Sequence, residues 1–110
     1  MLKKFTITLP LDIDTSYELV RKSGDEIVSW GANNVSPENH YLEWKQSFWS
    51  LSGTSLISVT LEAAGDNETL VTVMIHKPLQ LFDPVGICHR VFRKLEKSIE
   101  KNFSRLEDSD

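Results

Sequence analysis

The chain has 110 residues, a length that supports one domain with a single core and is too short for two. Its 40% hydrophobic and 25% charged residues are ordinary for a globular protein, and its net charge of −4 argues against a nucleic-acid partner. Cys88 is the only cysteine, which excludes an intramolecular disulfide and a cysteine-rich metal site. The apolar run after Lys4 is too short for a signal peptide or a membrane span, so we expect a cytoplasmic protein without membrane insertion.

The chain opens with a predicted strand followed by a short helix. Apolar residues alternate with threonines at residues 4–9, which is the pattern of a strand with one buried face, and Pro10 ends it. The helix is predicted next, because Thr15 and Glu18 have the spacing of a capping box and Gly24 is suited to end a helix. The apolar side of this helix consists of Ile13, Tyr17 and Val20.

The segment that follows the short helix is predicted to form a strand and then a turn. Residues 26–31 are assigned to the strand, with Val28 and Trp30 on one face. Residues 33–39 contain three asparagines and Pro37, which favour a turn. We therefore expect the chain to reverse before residue 40.

Three further strands are predicted at residues 40–49, 55–63 and 69–77, where apolar and polar residues alternate. A hairpin loop at residues 65–67 joins the last two. The residues expected on the inner face are Leu42, Trp44, Gln46, Phe48, Ile57, Val59, Leu61, Val71, Val73 and Ile75. Short connections between consecutive strands predict an antiparallel sheet with one apolar face and one solvent-exposed face.

The longest predicted element is an amphipathic helix from Asp83 to Leu106, with Asp83 as N-cap and Pro84 at the first helical position. Its apolar stripe comprises Cys88, Val91, Phe92, Leu95, Ile99, Phe103 and Leu106. Its basic side comprises Arg90, Arg93, Lys94, Lys97, Lys101 and Arg105, which we interpret as a solvated face. The helix therefore needs an apolar sheet to pack on, and residues 107–110 are expected to form a frayed charged tail.

Together these elements predict an α+β fold in the order β-α-β-β-β-β-α. An antiparallel sheet of about five strands is covered on one face by the long C-terminal helix. A single domain is expected over residues 1–106.

This order resembles the START-like helix-grip superfamily (SRPBCC), which includes birch-pollen-allergen-like proteins and polyketide cyclases. The segments that carry the resemblance are FTITLPLDID, HYLEWKQSF, SLISVTLEAAGDNETLVTVMI and QLFDPVGICHRVFRKLEKSIEKNF. The resemblance implies a cavity between the sheet and the helix that takes an apolar ligand. The chain departs from larger members, which have more strands and a helical pair, and its shortness favours the alternative that side chains fill this space.

The candidate ligand-binding residues are those expected to face the space between sheet and helix: Tyr17, Trp44, Gln46, Phe48, Cys88 and Phe92. The alternative is that they form a close-packed core with no cavity. Gln46 interrupts an apolar row, and a buried amide needs hydrogen-bond partners. We interpret Gln46 as a residue that a strand end or a local twist exposes to solvent.

No catalytic residue, metal ligand or cofactor is predicted. The spacing of His40, His76 and His89 does not bring them together on a metal ion. Cys88 lies on the apolar side of its helix, where burial raises the pKa of a thiol and makes it inert.

The leading functional hypothesis is a non-catalytic binding module for an apolar small molecule or a protein partner. One alternative is a small polyketide-cyclase-like enzyme that uses the same cavity. The other is a domain that binds no ligand and dimerises through the outer sheet face. The residues expected on that outer face are Tyr41, Trp49, Met74 and His76.

Overall fold

The computed structural model describes residues 2–46, 55–76 and 86–108, which form a five-stranded antiparallel sheet and two α-helices. In chain order these are β1 (Leu2–Leu9), α1 (Ile13–Asp25), β2 (Trp30–Ser36), a 3-10 turn (Pro37–Asn39), β3 (Tyr41–Gln46), β4 (Ser55–Gly65), β5 (Glu68–His76) and α2 (Ile87–Asp108). The predicted α+β class, with a C-terminal helix on an antiparallel sheet, is confirmed.

The strands lie in the order β1-β5-β4-β3-β2, so the first two strands occupy opposite edges of the sheet. Every neighbouring pair is antiparallel, which makes β1 and β2 point the same way. We call the end at which β2 begins and β3 stops the lower end of the sheet. Its inner-face residues Trp30, Gln46 and Ser55 pair across β2, β3 and β4.

The inner face of the sheet and the apolar stripe of α2 form one hydrophobic core, as predicted from their periodicity. The part that we call the apolar core comprises Leu42, Val59, Leu61, Val71 and Val73 of the sheet with Val91, Leu95 and Ile99 of α2. Each of these side chains is at most 5% exposed. The stripe loses its cover towards the C-terminus, where Leu106 is 41% exposed.

The predicted second strand was misplaced. Val28 lies in a turn, fully exposed, and β2 begins only at Trp30. It then runs through most of the predicted turn region, with an irregularity in its pairing with β3 between Ala32 and Asn34. Hydrogen bonding to β3 therefore outweighs the low strand propensity of the asparagines. Of the region predicted as a turn, only Pro37–Asn39 leave the extended conformation, as a 3-10 turn.

Both predicted features at the ends of α1 were also wrong. The N-cap is Asp12, whose carboxylate accepts a hydrogen bond from the Thr15 backbone N–H at 3.1 Å. Gly24 does not end the helix, which continues through it to Asp25. A Cβ atom on Gly24 would lie 2.2 Å from the ring of Trp44, so this glycine allows α1 and β3 to approach closely.

Helix α2 begins at Ile87, later than the predicted start at Asp83. Gly86 precedes it with φ +62°, a left-handed conformation from which a right-handed helix does not continue. The helix extends past Leu106 to Asp108. Among the predicted features, Phe48, Trp49, Asp83 and Pro84 lie outside the described residues.

Candidate functional site

The lower end of the sheet carries buried polar groups on an otherwise apolar face. Gln46 is paired with Trp30 on one side and with Ser55 on the other, and all three side chains are buried. Helix α2 contributes Lys94, which contacts Gln46. These four residues come from four different elements, so the fold rather than local sequence brings them together.

Gln46 is fully buried, so the expectation that it would be exposed was wrong. Its Oε1 atom accepts a hydrogen bond from Trp30 Nε1 at 3.0 Å and another from Lys94 Nζ at 3.3 Å. Two donors on one carbonyl oxygen offset the cost of removing the amide from water. Burial of Gln46 is therefore compatible with stability, and its oxygen links β2, β3 and α2.

Ser55 presents the opposite situation at the neighbouring strand position. Its side chain is 0% exposed, and its hydroxyl has no hydrogen-bond partner in the part of the chain that the structure describes. A buried polar group without a partner costs about 1–3 kcal/mol. Such a group is a candidate for contact with a bound molecule.

Lys94 is half-buried at the edge of the same cluster. Burial lowers the pKa of its ammonium group, because the charged form is less well solvated there than in water. Within the described ranges no carboxylate lies at ion-pair distance from Lys94. Its positive charge therefore faces a neutral amide oxygen.

Two tryptophans form an aromatic wall beside Gln46. The rings of Trp30 and Trp44 are 5.7 Å apart and inclined by 41°. Trp44 is held in place, because its Nε1 donates to Asp25 Oδ1 at 2.9 Å and Gly24 packs directly on the indole. The wall is therefore rigid and apolar, with both indole N–H groups already engaged.

Tyr17 lies away from this cluster. Its hydroxyl donates to the backbone oxygen of Tyr41 at 3.4 Å, and its ring meets His40 edge-on. Burial raises the pKa of the Tyr17 phenol. Since Tyr41 and Gln46 are at opposite ends of β3, about 17 Å of strand separates the two positions. Tyr17 and Gln46 therefore do not line one small site.

The candidates on α2 pack against the core. Phe92 stacks on Phe5 of β1, with ring centroids 4.5 Å apart, and Cys88 is fully buried. Phe92 therefore packs over the β1 edge of the sheet, and Lys94 reaches Gln46 on β3. The assignment of Tyr17, Trp44, Gln46, Cys88 and Phe92 to ligand binding stays a prediction.

Three members of the cluster, Lys94, Ser55 and Trp30, were not among the predicted site residues. Trp30 was predicted to lie in a strand but was not placed in the site. Lys94 was assigned to the solvated side of its helix, although it adjoins Leu95 and follows Val91 by three residues, which places it at the margin of the apolar stripe. Ser55 precedes Ile57 by two residues, so strand alternation already put it on the inner face. For Lys94 and Ser55 the sequence therefore indicated the position on the helix or strand, but not the residues that each side chain contacts.

Two searches of the described residues bear on other kinds of site. No group of three or more His, Cys, Asp or Glu side chains there is arranged to hold a metal ion. Neither of the helices that the structure describes combines the length and apolar content needed to cross a membrane.

Comparisons with known proteins identify the fold. Neither protein-family models nor curated protein sequences give a match. Among solved structures, Ara h 8.0201 superposes with a TM-score of 0.71 at 11% identity, over 98% of both chains. The Zhui aromatase/cyclase from Streptomyces sp. R1128 gives a TM-score of 0.57 at 10% identity, over 94% of this chain and 87% of its own.

A third structure, of a protein from Thermus thermophilus, gives a TM-score of 0.53 at 13% identity over the full length of both chains. Identities this low establish shared architecture and leave activity open. The chain therefore has the helix-grip fold of START-like proteins, and the predicted resemblance is confirmed at the level of the fold.

Proposed function

We propose that the protein is a non-catalytic binding protein that holds an apolar small molecule at the lower end of the sheet, between the sheet and α2. The observation that carries this proposal is the buried hydroxyl of Ser55, which has no partner in the described chain. It stands beside Gln46, Lys94 and the tryptophan wall, so apolar surface and polar groups meet at one place. Binding pockets typically combine these two features.

The apolar core is a poor location for a ligand. Val59, Val71, Val73 and Leu95 are each 0% exposed, which leaves no water-sized space against them. A ligand in either region would have to displace close-packed side chains, because Gln46 and Ser55 are also 0% exposed. At the lower end, however, a ligand would supply the hydrogen bond that Ser55 lacks within the described chain, so binding there offsets an existing cost.

The described residues favour binding over catalysis. Proton transfer requires an acid and a base in mutual reach, and Lys94 is in contact with an amide rather than with a histidine or a carboxylate. A structural neighbour, the Zhui protein, is an aromatase/cyclase, and that activity belongs to that protein. The lysine, amide and hydroxyl of this chain are suited to holding a polar atom of a ligand.

Nuclear magnetic resonance of the labelled protein during titration with octanol tests the proposal. We expect saturable shifts at the Trp30 indole and at the backbone amides of Gln46 and Ser55, because these groups line the proposed site. Thr69, whose hydroxyl is already bonded to the Leu11 carbonyl at 2.8 Å, should shift little. The absence of saturable shifts would contradict small-molecule binding. Concentration-dependent shifts confined to outer-face residues Tyr41 and Met74 would favour the dimerising alternative.

A further inference from the structure

We infer that the molecule bound at the lower end carries an anionic group, of the carboxylate class, and that Lys94 and Ser55 bind this group. The inference rests on the proposed function and adds the chemical class of the ligand. Among the residues that the structure describes, Lys94 has no counter-ion and the Ser55 hydroxyl has no acceptor, and the inference follows from these two observations.

Two other cations of α2 differ from Lys94 in having carboxylate partners. Arg93 pairs with Glu96 on the same helix, and Lys101 pairs with Glu26 of the segment after α1 at 3.2 Å. Lys94 is the cation of α2 that contacts Gln46, a neutral partner. A half-buried ammonium without a counter-ion is poorly compensated, because water solvates it less than at the surface.

The direction of the pKa shift agrees with this description. Burial lowers the pKa of Lys94, and no carboxylate within residues 2–46, 55–76 and 86–108 opposes this shift. A bound carboxylate would favour the charged form of the lysine and return the pKa towards its ordinary value. The lysine charge is thus available to a ligand, at the same end of the sheet as the apolar tryptophan wall.

Ser55 supplies the second donor that a carboxylate needs. A carboxylate has two oxygens and accepts several hydrogen bonds, so one oxygen can accept from Lys94 Nζ and the other from Ser55 Oγ. Ser55 is paired in register with Gln46, the residue that contacts Lys94. Lys94 and Ser55 therefore both adjoin Gln46, one through a hydrogen bond to its side chain and the other as its strand neighbour. A neutral ligand would use the charge of Lys94 less well.

The test compares octanoate with octanamide, which have the same apolar chain and differ in the charge of the head group. Titration calorimetry of the purified protein should show octanoate binding about tenfold more tightly, the ratio expected for one hydrogen bond to a charged group. Lys94→Met should abolish this preference by removing the charge. Lys94→Gln should abolish it as well, although glutamine still offers a donor to Gln46.

The matched control is Lys97→Met, which removes one charge from an exposed position on the same helix. This variant should retain the tenfold preference, and general attraction by the basic helix face is then excluded as its cause. Equal binding of octanoate and octanamide would overturn the inference while leaving the proposed function intact. A preference that survives Lys94→Met and Lys94→Gln would also overturn it. Failure of both compounds to bind would overturn the proposed function and the inference together.

Discussion

The apolar core and the lower end of the sheet both lie between the sheet and α2, but their buried side chains differ in polarity. In the apolar core, valines and leucines from three strands meet Val91, Leu95 and Ile99 of α2. At the lower end the same sheet face continues into Gln46 and Ser55, and α2 presents Lys94. One region is stabilised by exclusion of water, and the other contains polar groups that hydrocarbon packing does not satisfy.

Two buried hydroxyls illustrate this difference. Thr69, on the inner face of β5, donates to the Leu11 carbonyl at 2.8 Å. Ser55, on the inner face of β4, has no such acceptor in the described chain. Both residues have 0% exposure, so the contrast lies in hydrogen bonding rather than burial. Proteins usually retain an energetic cost such as an unpaired buried hydroxyl at sites where function requires it.

The largest effect is expected from Leu95→Ala in the apolar core. Removing this fully buried side chain should lower the free energy of unfolding by about 2–5 kcal/mol, through lost transfer energy and a residual cavity. Leu106→Ala is the matched control on the same helix stripe, and at 41% exposure it should cost less than about 0.5 kcal/mol. Urea denaturation measures both values. Equal costs would show that α2 does not pack as described.

The next effect concerns the support of the tryptophan wall. Gly24→Ala places a methyl group 2.2 Å from the Trp44 ring and should destabilise the protein by about 1–3 kcal/mol, because α1 and β3 must separate. Gly31→Ala is the control, since nothing lies within 4 Å of its Cβ position. Thermal unfolding should show a clear decrease for the first variant and little change for the second. An unchanged midpoint for Gly24→Ala would disprove the close contact.

A smaller effect separates the two buried hydroxyls. Thr69→Val should cost about 1 kcal/mol, because it removes the shorter of the two hydrogen bonds that the Leu11 carbonyl accepts from described side chains and leaves the one from Ser16 Oγ at 3.4 Å. Ser55→Ala should be neutral or stabilising by up to about 1 kcal/mol, since it removes a polar group that has no partner in the described chain. Chemical denaturation in the absence of ligand measures both. A loss above about 1 kcal/mol for Ser55→Ala would mean that its hydroxyl is already satisfied.

The smallest effect on stability is expected from Lys94→Met. The folded-state pKa of Lys94 lies below the ordinary value of 10.5, so its protonated form is relatively less favourable in the folded chain than in the unfolded chain. This penalty is fully present below the folded pKa and disappears as the pH rises towards 10.5.

At neutral pH the Lys94→Met variant should therefore be more stable by a few tenths of a kcal/mol, since water still screens the half-exposed ammonium. Unfolding free energies measured at about pH 7 and near pH 10 should show this gain becoming smaller. Lys97→Met, at an exposed position, should show no such gain. A clear loss of stability in Lys94→Met would mean that the lysine serves the fold rather than a ligand.

Periodicity made much of the fold predictable. Two local patterns indicate which residues face the core: the alternation in β3, β4 and β5, and the apolar stripe of α2. Both can be read from the sequence because they involve residues only a few positions apart. β2 was misplaced because its strand structure depends on pairing with β3, which outweighs the turn preference of its asparagines. Gly24 was misread because its contact with Trp44 joins residues far apart in sequence.

The candidate site was harder to predict than the fold for the same reason. Trp44 and Gln46 were found because they occupy inward strand positions. Lys94 was not, because its contact with Gln46 depends on how α2 crosses the sheet. Ser55 was not singled out, because the lack of a hydrogen-bond partner for its hydroxyl among the described residues is a property of the assembled core and leaves no pattern in the sequence. The sequence therefore predicted the residues that β3 contributes to the site, but not the residues of other elements that contact them.

Native mass spectrometry of the purified protein, followed by the same measurement under denaturing conditions, shows whether the lower end of the sheet holds a small molecule. We expect a monomer with added mass that disappears on denaturation, and less of that mass in Lys94→Met than in Lys97→Met. If the native spectrum shows only the mass of the chain, even after incubation with octanoate, small-molecule binding at the lower end is contradicted. In that case the lower end would be part of a packed core, and the search for function would move to the outer sheet face.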